Sequence, residues 1–187
     1  VRSSAASDVY KRQHFLYDMG IVNTPEPYAK RSAQGMILGS DGDKMSKSKG
    51  NVVDPLDIVN EYGADALRTY VLFMGDYGAA APWNDSSVRG CKRFLERVAG
   101  LTDIMTEEPA AKDMEVKIHK AIKKVSSDIE AMKFNTAIAC LMTLINEIYA
   151  VGKISKDDLV IFIKLLCPFA PHLCEEIWET ILSLIHI

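Results

Sequence analysis

The chain has 187 residues, with 22 Lys and Arg against 25 Asp and Glu and a formal net charge of -3. Hydrophobic residues make up 48% and charged residues 25%, a balance that suits one folded domain, or a small domain plus the tail of another, and excludes a disordered chain or a grossly basic nucleic-acid coat. No run of about 18 uncharged apolar residues stands out, so the sequence predicts no membrane span.

Residues 1–13 (VRSSAASDVYKRQ) begin without Met, lack the apolar run of a secretory signal and match none of the periodicities found further along the chain. They read as a non-native or disordered end, and so does 182–187 (LSLIHI). From His14 to Val22 the pattern is the end of a helix, with Gly20 at its C-terminus. Two prolines make 24–27 a connector. Gln34 to Leu38 is a predicted strand closed by the turn Ser40-Asp41-Gly42-Asp43, and the polar, non-periodic Lys44 to Asn51 (KMSKSKGN) is a loop.

Asp54, Pro55 and Asp57 begin a helix: an N-cap acid, a proline at the first helical position and a second acid in the first turn. Tyr62-Gly63 ends it, and Asp65 is expected to cap the next helix, 66–74. Gly75 to Ala81 reads as a small-residue linker before Pro82-Trp83, which gives expected domains of 14–82 and 83–181. With little else in it to form a sheet, 14–75 is expected to be weakly protected beside the helical region 83–181.

Beyond Trp83 the sequence is helical and no strand is expected. Val88, Cys91, Leu95, Val98, Leu101 and Met105 form one apolar face; Ile118, Ile122, Val125, Ile129 and Met132 form a second. Asn135-Thr136 is the expected cap of a third helix, whose Ile138, Leu141, Leu144, Ile145 and Ile148 make it central. A fourth starts at Asp157-Asp158 and is broken at Pro168 and Pro171 before resuming through Trp178. The fold class that results is mainly α, a bundle of four or five helices.

Cys91, Cys140, Cys167 and Cys174 contain no C-x-x-C pair and sit in apolar helical patterns, so they read as buried, reduced thiols in a reducing compartment. His119 and His172 have no cysteine or carboxylate at ligand spacing, and no metal site is predicted. Trp83 and Trp178 read as packing anchors, Asp41 and Asp43 as turn formers.

The loop from Lys44 to Asn51 is the segment whose composition asks for a chemical explanation. Ammonium groups gathered on a loop suit a polyphosphate, whose developing charge they neutralise, and serine hydroxyls and loop N–H groups add donors. A solvated basic turn is the plainer alternative. It is not a Walker loop, because no G-x-x-x-x-G-K-[ST] is present.

Lys44-Met45-Ser46-Lys47-Ser48 matches in full the second signature of the class I aminoacyl-tRNA synthetases. Its surroundings, residues 34–75, resemble the leucine/isoleucine/valine subgroup, and VRGCKRFLERV (88–98), KFNTAIACLMTLIN (133–146) and LLCPFAPHLCEEIW (165–178) resemble the leucyl-tRNA synthetase family more than its valine or isoleucine relatives. The resemblance covers about His14 to Trp178. It implies the tail of a Rossmann-like α/β catalytic domain followed by an anticodon-binding helical domain in a cytoplasmic enzyme. It also implies a reaction in two steps, in which leucine and ATP, with its Mg2+, give leucyl-adenylate, and the leucyl group passes to tRNA(Leu).

Carried over residue by residue, Lys44 and Lys47 are the implied phosphate clamps. Ser46 and Ser48 supply hydrogen bonds, and Met45 packs near the adenine. Arg89, Arg93 and Arg97, four apart on one helix, make a basic ridge for tRNA phosphates, and Lys117, Lys120, Lys123 and Lys124 bias the next helix the same way. A solvated face with pairs such as Lys92–Glu96 is the alternative for any one of them. The first signature of the class is not in this chain, so the chain alone is expected to be inactive. A valyl-, isoleucyl- or methionyl-tRNA synthetase segment, a non-catalytic helical RNA-binding module and a helical scaffold are the competing readings.

Overall fold

The structure, a computed structural model, describes residues 4–26, 28, 30, 32–109 and 111–185, with side chains from residue 11 to residue 181. Residues 1–3 and 186–187 of the two expected foreign ends lie outside the described residues. Packing divides the chain into two compact units, Val1–Ala33 and Gln34–Ile187.

The first unit is built on α1, Ser4–Asp18. Residues 4–13, expected to be without periodic structure, are continuous with the rest of this helix; no Gly or Pro between 4 and 18 stops it. Its C-terminus closes as the sequence indicated. Gly20 takes φ 69°, the Gly20 N–H donates to Tyr17 O at 2.9 Å and the Ile21 N–H donates to Leu16 O at 3.0 Å, the paired bonds of a Schellman closure.

The second unit opens with β1 (Ile37–Leu38), which returns through the Gly42 turn to pair Leu38 with Lys44, and continues into α2 (Pro55–Tyr62) and α3 (Ala64–Phe73). Asp54 caps α2 by accepting the Leu56 N–H at 2.9 Å, with Pro55 at the first helical position. Next come β2 (Ala81–Pro82), parallel to β1, and α4 (Asp85–Ala99), whose N-cap Asn84 accepts the Ser87 N–H. The rest is β3 (Met105–Thr106), α5 (Lys112–Glu130), α6 (Phe134–Val151), β4 (Ile154–Ser155), α7 (Lys156–Leu166) and α8 (Pro171–Ile185). The break at Pro168 and Pro171 is where the sequence put it.

Two apolar cores form. Phe94, Leu95, Val98 and Leu101 join the buried faces of α5 to α8, with the fully buried Ile138, Leu141, Ile145 and Ile148 of α6 among them. Val88 and Cys91 instead join Ile58, Tyr70 and Trp83 in a smaller core, where Tyr70 and Trp83 meet edge to face with centroids 4.9 Å apart. The one apolar stripe of α4 therefore serves both cores. Nor does packing stop at the expected 82/83 boundary: Tyr77 packs edge to face on Phe134.

Several expectations fail for identifiable reasons. A sheet does occur beyond Trp83. It is only the two-residue parallel pair β3–β4, flanked by Lys153–Glu108 at 2.7 Å and Lys156–Glu107 at 3.5 Å, and it ties two loops that no local pattern could pair. Asp65 does not cap α3, because its carboxylate is drawn across to the start of α8. Asn135 and Thr136 lie inside α6 rather than at its cap; the Thr136 hydroxyl donates to Asp128 at 2.6 Å instead. Lys92 does not pair with Glu96; its ammonium donates to Glu61 O at 3.3 Å and lies over the Tyr62 ring. Cys91 and Cys174 are buried, but Cys140 and Cys167 only partly so. Finally, α6 is an 18-residue helix with Glu147 as its single charge, long and apolar enough by composition to cross a membrane. Here its apolar stripe faces the core of the bundle.

The buried positions Ala66 and Tyr70 bring α3 into the two cores, which corrects the expectation that everything before residue 75 holds weakly. In hydrogen exchange on this chain, amides of α3 should be protected with those of α6, while those of α1 exchange faster by orders of magnitude. Equal protection of α1 and α6 would contradict this.

Candidate functional site

The lysine loop is held by one side chain. Asn51 reaches back over the loop: its Oδ1 accepts the Ser46 N–H at 2.8 Å, and its Nδ2 donates to Asp41 Oδ2 at 3.0 Å and to Lys44 O at 3.4 Å. Asp41 also accepts the Asp43 N–H at 3.0 Å, and a Cβ on Gly39 would stand 2.6 Å from Asp41 Oδ1, so a side chain there would push the Asp41 carboxylate out of this frame. The Asp43 N–H and the Asn51 amide together hold the Asp41 carboxyl below the usual carboxylate range. Asp41 and Asp43 are the turn formers that the sequence indicated; Asn51 it missed, although an Asn directly after Gly50, which takes φ 67°, is a signal of local side-chain-to-backbone bonding.

Inside that frame, Lys47 to Lys49 form a short 3-10 turn rather than open loop, closed by Gly50. The Ser46 and Ser48 hydroxyls are 2.7 Å apart and bond to each other. Met45 is partly buried against the smaller core, which anchors the loop's one apolar side chain to the body of the unit. The three lysines differ. Lys49 pairs with Asp43 at 2.7 Å, whereas Lys44 and Lys47 are exposed and their ammonium groups have no partner among the described residues. The frame thus satisfies its own backbone and leaves two cations available to an anion.

Arg89, Arg93 and Arg97 are all exposed on α4. Arg93 and Arg97 line a groove of about 460 Å³ between α4 and α6, whose lining does not include Arg89. Arg97 is fixed there. Its guanidinium lies 4.8 Å from the Tyr149 ring centroid and donates to Asn146 Oδ1 at 2.6 Å, while the Tyr149 hydroxyl donates to Arg97 O at 2.8 Å. Asn146 and Tyr149 lie some fifty residues downstream, so the sequence offered no signal for either. On the next face Lys117, Lys120 and Lys124 border a second groove of about 640 Å³. Two of them are engaged by acids: Lys117 lies 3.7 Å from Glu147, and Lys124 pairs with Asp128.

The remaining titratable groups fill structural roles. Burial pushes the Cys91 thiol up to about 11 and that of Cys174 to about 12, which leaves both protonated and unreactive at neutral pH. Burial also raises Cys140. Trp83 is a packing anchor as expected, with its Nε1–H donating to Asp85 at 2.7 Å. His119 is exposed, and His172 meets Asp65.

Two family models match this chain. Residues 13–84 match the family model for class I tRNA synthetases (I, L, M and V), and residues 111–186 match the anticodon-binding domain of tRNA ligases. The chain belongs to the class I tRNA synthetases. A leucine–tRNA ligase of Alkaliphilus oremlandii is 50% identical over 168 residues, 89% of this chain and 21% of that ligase, and one of Bdellovibrio bacteriovorus is 47% identical over 170 residues. This synthetase chain thus spans about a fifth of the length of the curated relatives it matches. Among solved structures, the Agrobacterium radiobacter K84 agnB2 LeuRS in its ternary complex with tRNA and LeuAMS superposes with a TM-score of 0.75 at 32% identity, covering 92% of this chain and 25% of that one. The methionyl-tRNA synthetase of Mycobacterium tuberculosis shares the fold, with a TM-score of 0.60 at 19% identity, covering 88% of this chain and 40% of that one.

The Asp41–Asn51 frame makes the loop acid-sensitive in a definite direction. A carboxyl whose value is depressed on folding stabilises the frame above about pH 4, its unfolded value, and loses that effect as pH falls through the lower folded one. The Ser46 and Asp43 amides, followed by NMR, should shift together below about pH 4. Asn51→Ala should give the disordered shifts already at pH 7, and unchanged spectra in that variant would show that Asn51 does not organise the loop.

Proposed function

We propose that this chain is the part of a leucine–tRNA ligase that carries the ATP-phosphate loop and the helical domain that holds tRNA(Leu). The observation behind this reading is the pair of unpartnered ammonium groups, Lys44 and Lys47, on a loop whose own polar groups are satisfied by Asn51 and Asp41. Similarity to leucine–tRNA ligases over 89% of the chain supports the choice of leucine.

In the reaction, leucine attacks the α-phosphorus of ATP and pyrophosphate leaves, carrying charge that builds up as the bond breaks. Lys44 and Lys47 neutralise that charge on phosphate oxygens, with Lys47 the more direct contact. Ser46 and Ser48 trade their mutual bond for bonds to phosphate, and Met45 holds the loop near the adenine while anchored in the smaller core. Asp41 and Asp43 are engaged with Asn51 and Lys49, so the Mg2+ that accompanies ATP would be held by phosphate oxygens. In the second step the leucyl group passes to the terminal ribose of tRNA(Leu), whose backbone Arg89, Arg93 and Arg97 contact without reading sequence. The two domains are 14–82 and 83–181, working in the cytoplasm.

The loop offers little to folding, so Lys47→Ala in a full-length leucine–tRNA ligase carrying this segment should leave the melting temperature unchanged. Leucine-dependent ATP–pyrophosphate exchange should fall by about 10²–10³-fold, with little change in the KM for leucine. Transfer from preformed leucyl-adenylate should suffer less, since pyrophosphate has already left. Equal exchange rates in the variant and the wild type would make the loop a solvated turn and overturn the assignment.

A further inference from the structure

Asp65 is a buried carboxylate that gives neither oxygen to its own helix. Buried charge is costly unless donors satisfy it, and both of its partners come from one turn of α8, more than a hundred residues away. The Leu173 N–H, an otherwise orphaned donor of the helix start, reaches Oδ2 at 2.7 Å. His172 Nδ1 lies 2.7 Å from Oδ1, within hydrogen-bond distance. One turn further along α3, Arg68 Nη2 donates to Pro168 O at 3.4 Å, a carbonyl just past the end of α7. An acid therefore meets the positive start of α8, while a cation meets a carbonyl of the α7–α8 turn. Between these contacts Ala66 and Thr69 of α3 are buried, as are Phe169 and Ala170 of the α7–α8 turn.

Apolar packing alone tolerates small slides and rotations; two directional contacts of opposite sign, one turn apart, do not. The lysine loop runs directly into α2 and α3, so whatever fixes α3 also fixes the loop relative to α5–α8. We propose that Asp65 and Arg68 are positioning residues that lock the loop-bearing helices onto the α7–α8 turn, and that this joint acts in the tRNA-dependent step of the reaction. The proposal rests on the ligase reading above. Adenylate formation needs only ATP, leucine and the loop. Transfer also needs a tRNA held by the bundle to deliver its end to that loop, and only then does the relative placement of the two parts matter.

The test uses a full-length leucine–tRNA ligase carrying this segment, with Asp65→Ala, Asp65→Asn and Arg68→Gln. For each, ATP–pyrophosphate exchange, leucylation at varied tRNA(Leu) concentration and the melting temperature are measured. Asp65→Ala should keep exchange within about twofold of wild type while kcat/KM for tRNA falls by about tenfold or more. Asp65→Asn retains an acceptor for the Leu173 N–H and should recover most of the loss. Arg68→Gln, at an exposed position, should lower kcat/KM for tRNA by about threefold with an unchanged melting temperature, so the inference stays testable if Asp65→Ala fails to fold. Exchange and leucylation falling by one common factor, or leucylation unchanged in all three variants, would overturn the joint's role. A wild-type protein without leucine-dependent exchange would overturn the ligase reading and this inference with it, whereas an active wild type with indistinguishable variants overturns only the inference.

Discussion

The α4 helix carries a single apolar stripe that has to satisfy two different sets of neighbours. Its first turns give Val88 and Cys91 to the core around Tyr70 and Trp83, and its later turns give Phe94, Leu95 and Val98 to the core of α5–α8. A rigid helix cannot change its orientation at one end without changing it at the other, so the position of the strand-and-loop segment and the position of the bundle are fixed together. Both candidate sites of the second unit adjoin what that helix packs against. The lysine loop is anchored through Met45 into the smaller core, and the arginine groove opens on the face of α4 that turns towards α6.

Both candidate binding surfaces follow one physical pattern, in which the protein satisfies the supporting groups and leaves some cations without an acidic partner among the described residues. In the loop, Asn51 and Asp41 take up the backbone donors and acceptors, Lys49 is consumed by Asp43, and Lys44 and Lys47 remain. In the groove, Tyr149 and Asn146 hold the exposed Arg97 in place. Restricting a long side chain in advance lowers the entropy lost when an anion arrives, which is why a stacked arginine binds phosphate better than a mobile one. The α5 lysines differ because Glu147 and Asp128 already occupy two of them.

Much of this was legible in the chain itself. Helix periodicity found α2 and α4–α8 to within a few residues, because apolar spacing reports burial directly. Asp54-Pro55 and Tyr62-Gly63 marked their boundaries because caps are local chemistry. The lysine loop was legible as a loop because too little of its composition could be buried. The miss at residues 4–13 has the opposite cause: a helix with a weakly apolar face leaves little periodic trace.

The sequence by itself determined most of the helices, several of their ends and the identity of the charged groups, since these depend on interactions spanning a few residues. Tertiary structure alone decided which groups remain available. Asp65 was assigned to the start of its own helix by every local rule, yet it serves α8, because a donor-rich helix start 108 residues away competes better for a buried carboxylate than its own turn does. The β3–β4 pair, the stacking of Arg97 on Tyr149 and the second core under α4 have the same origin. Each joins residues far apart in the chain, and no period or motif encodes which distant partner a side chain will meet once the cores have closed.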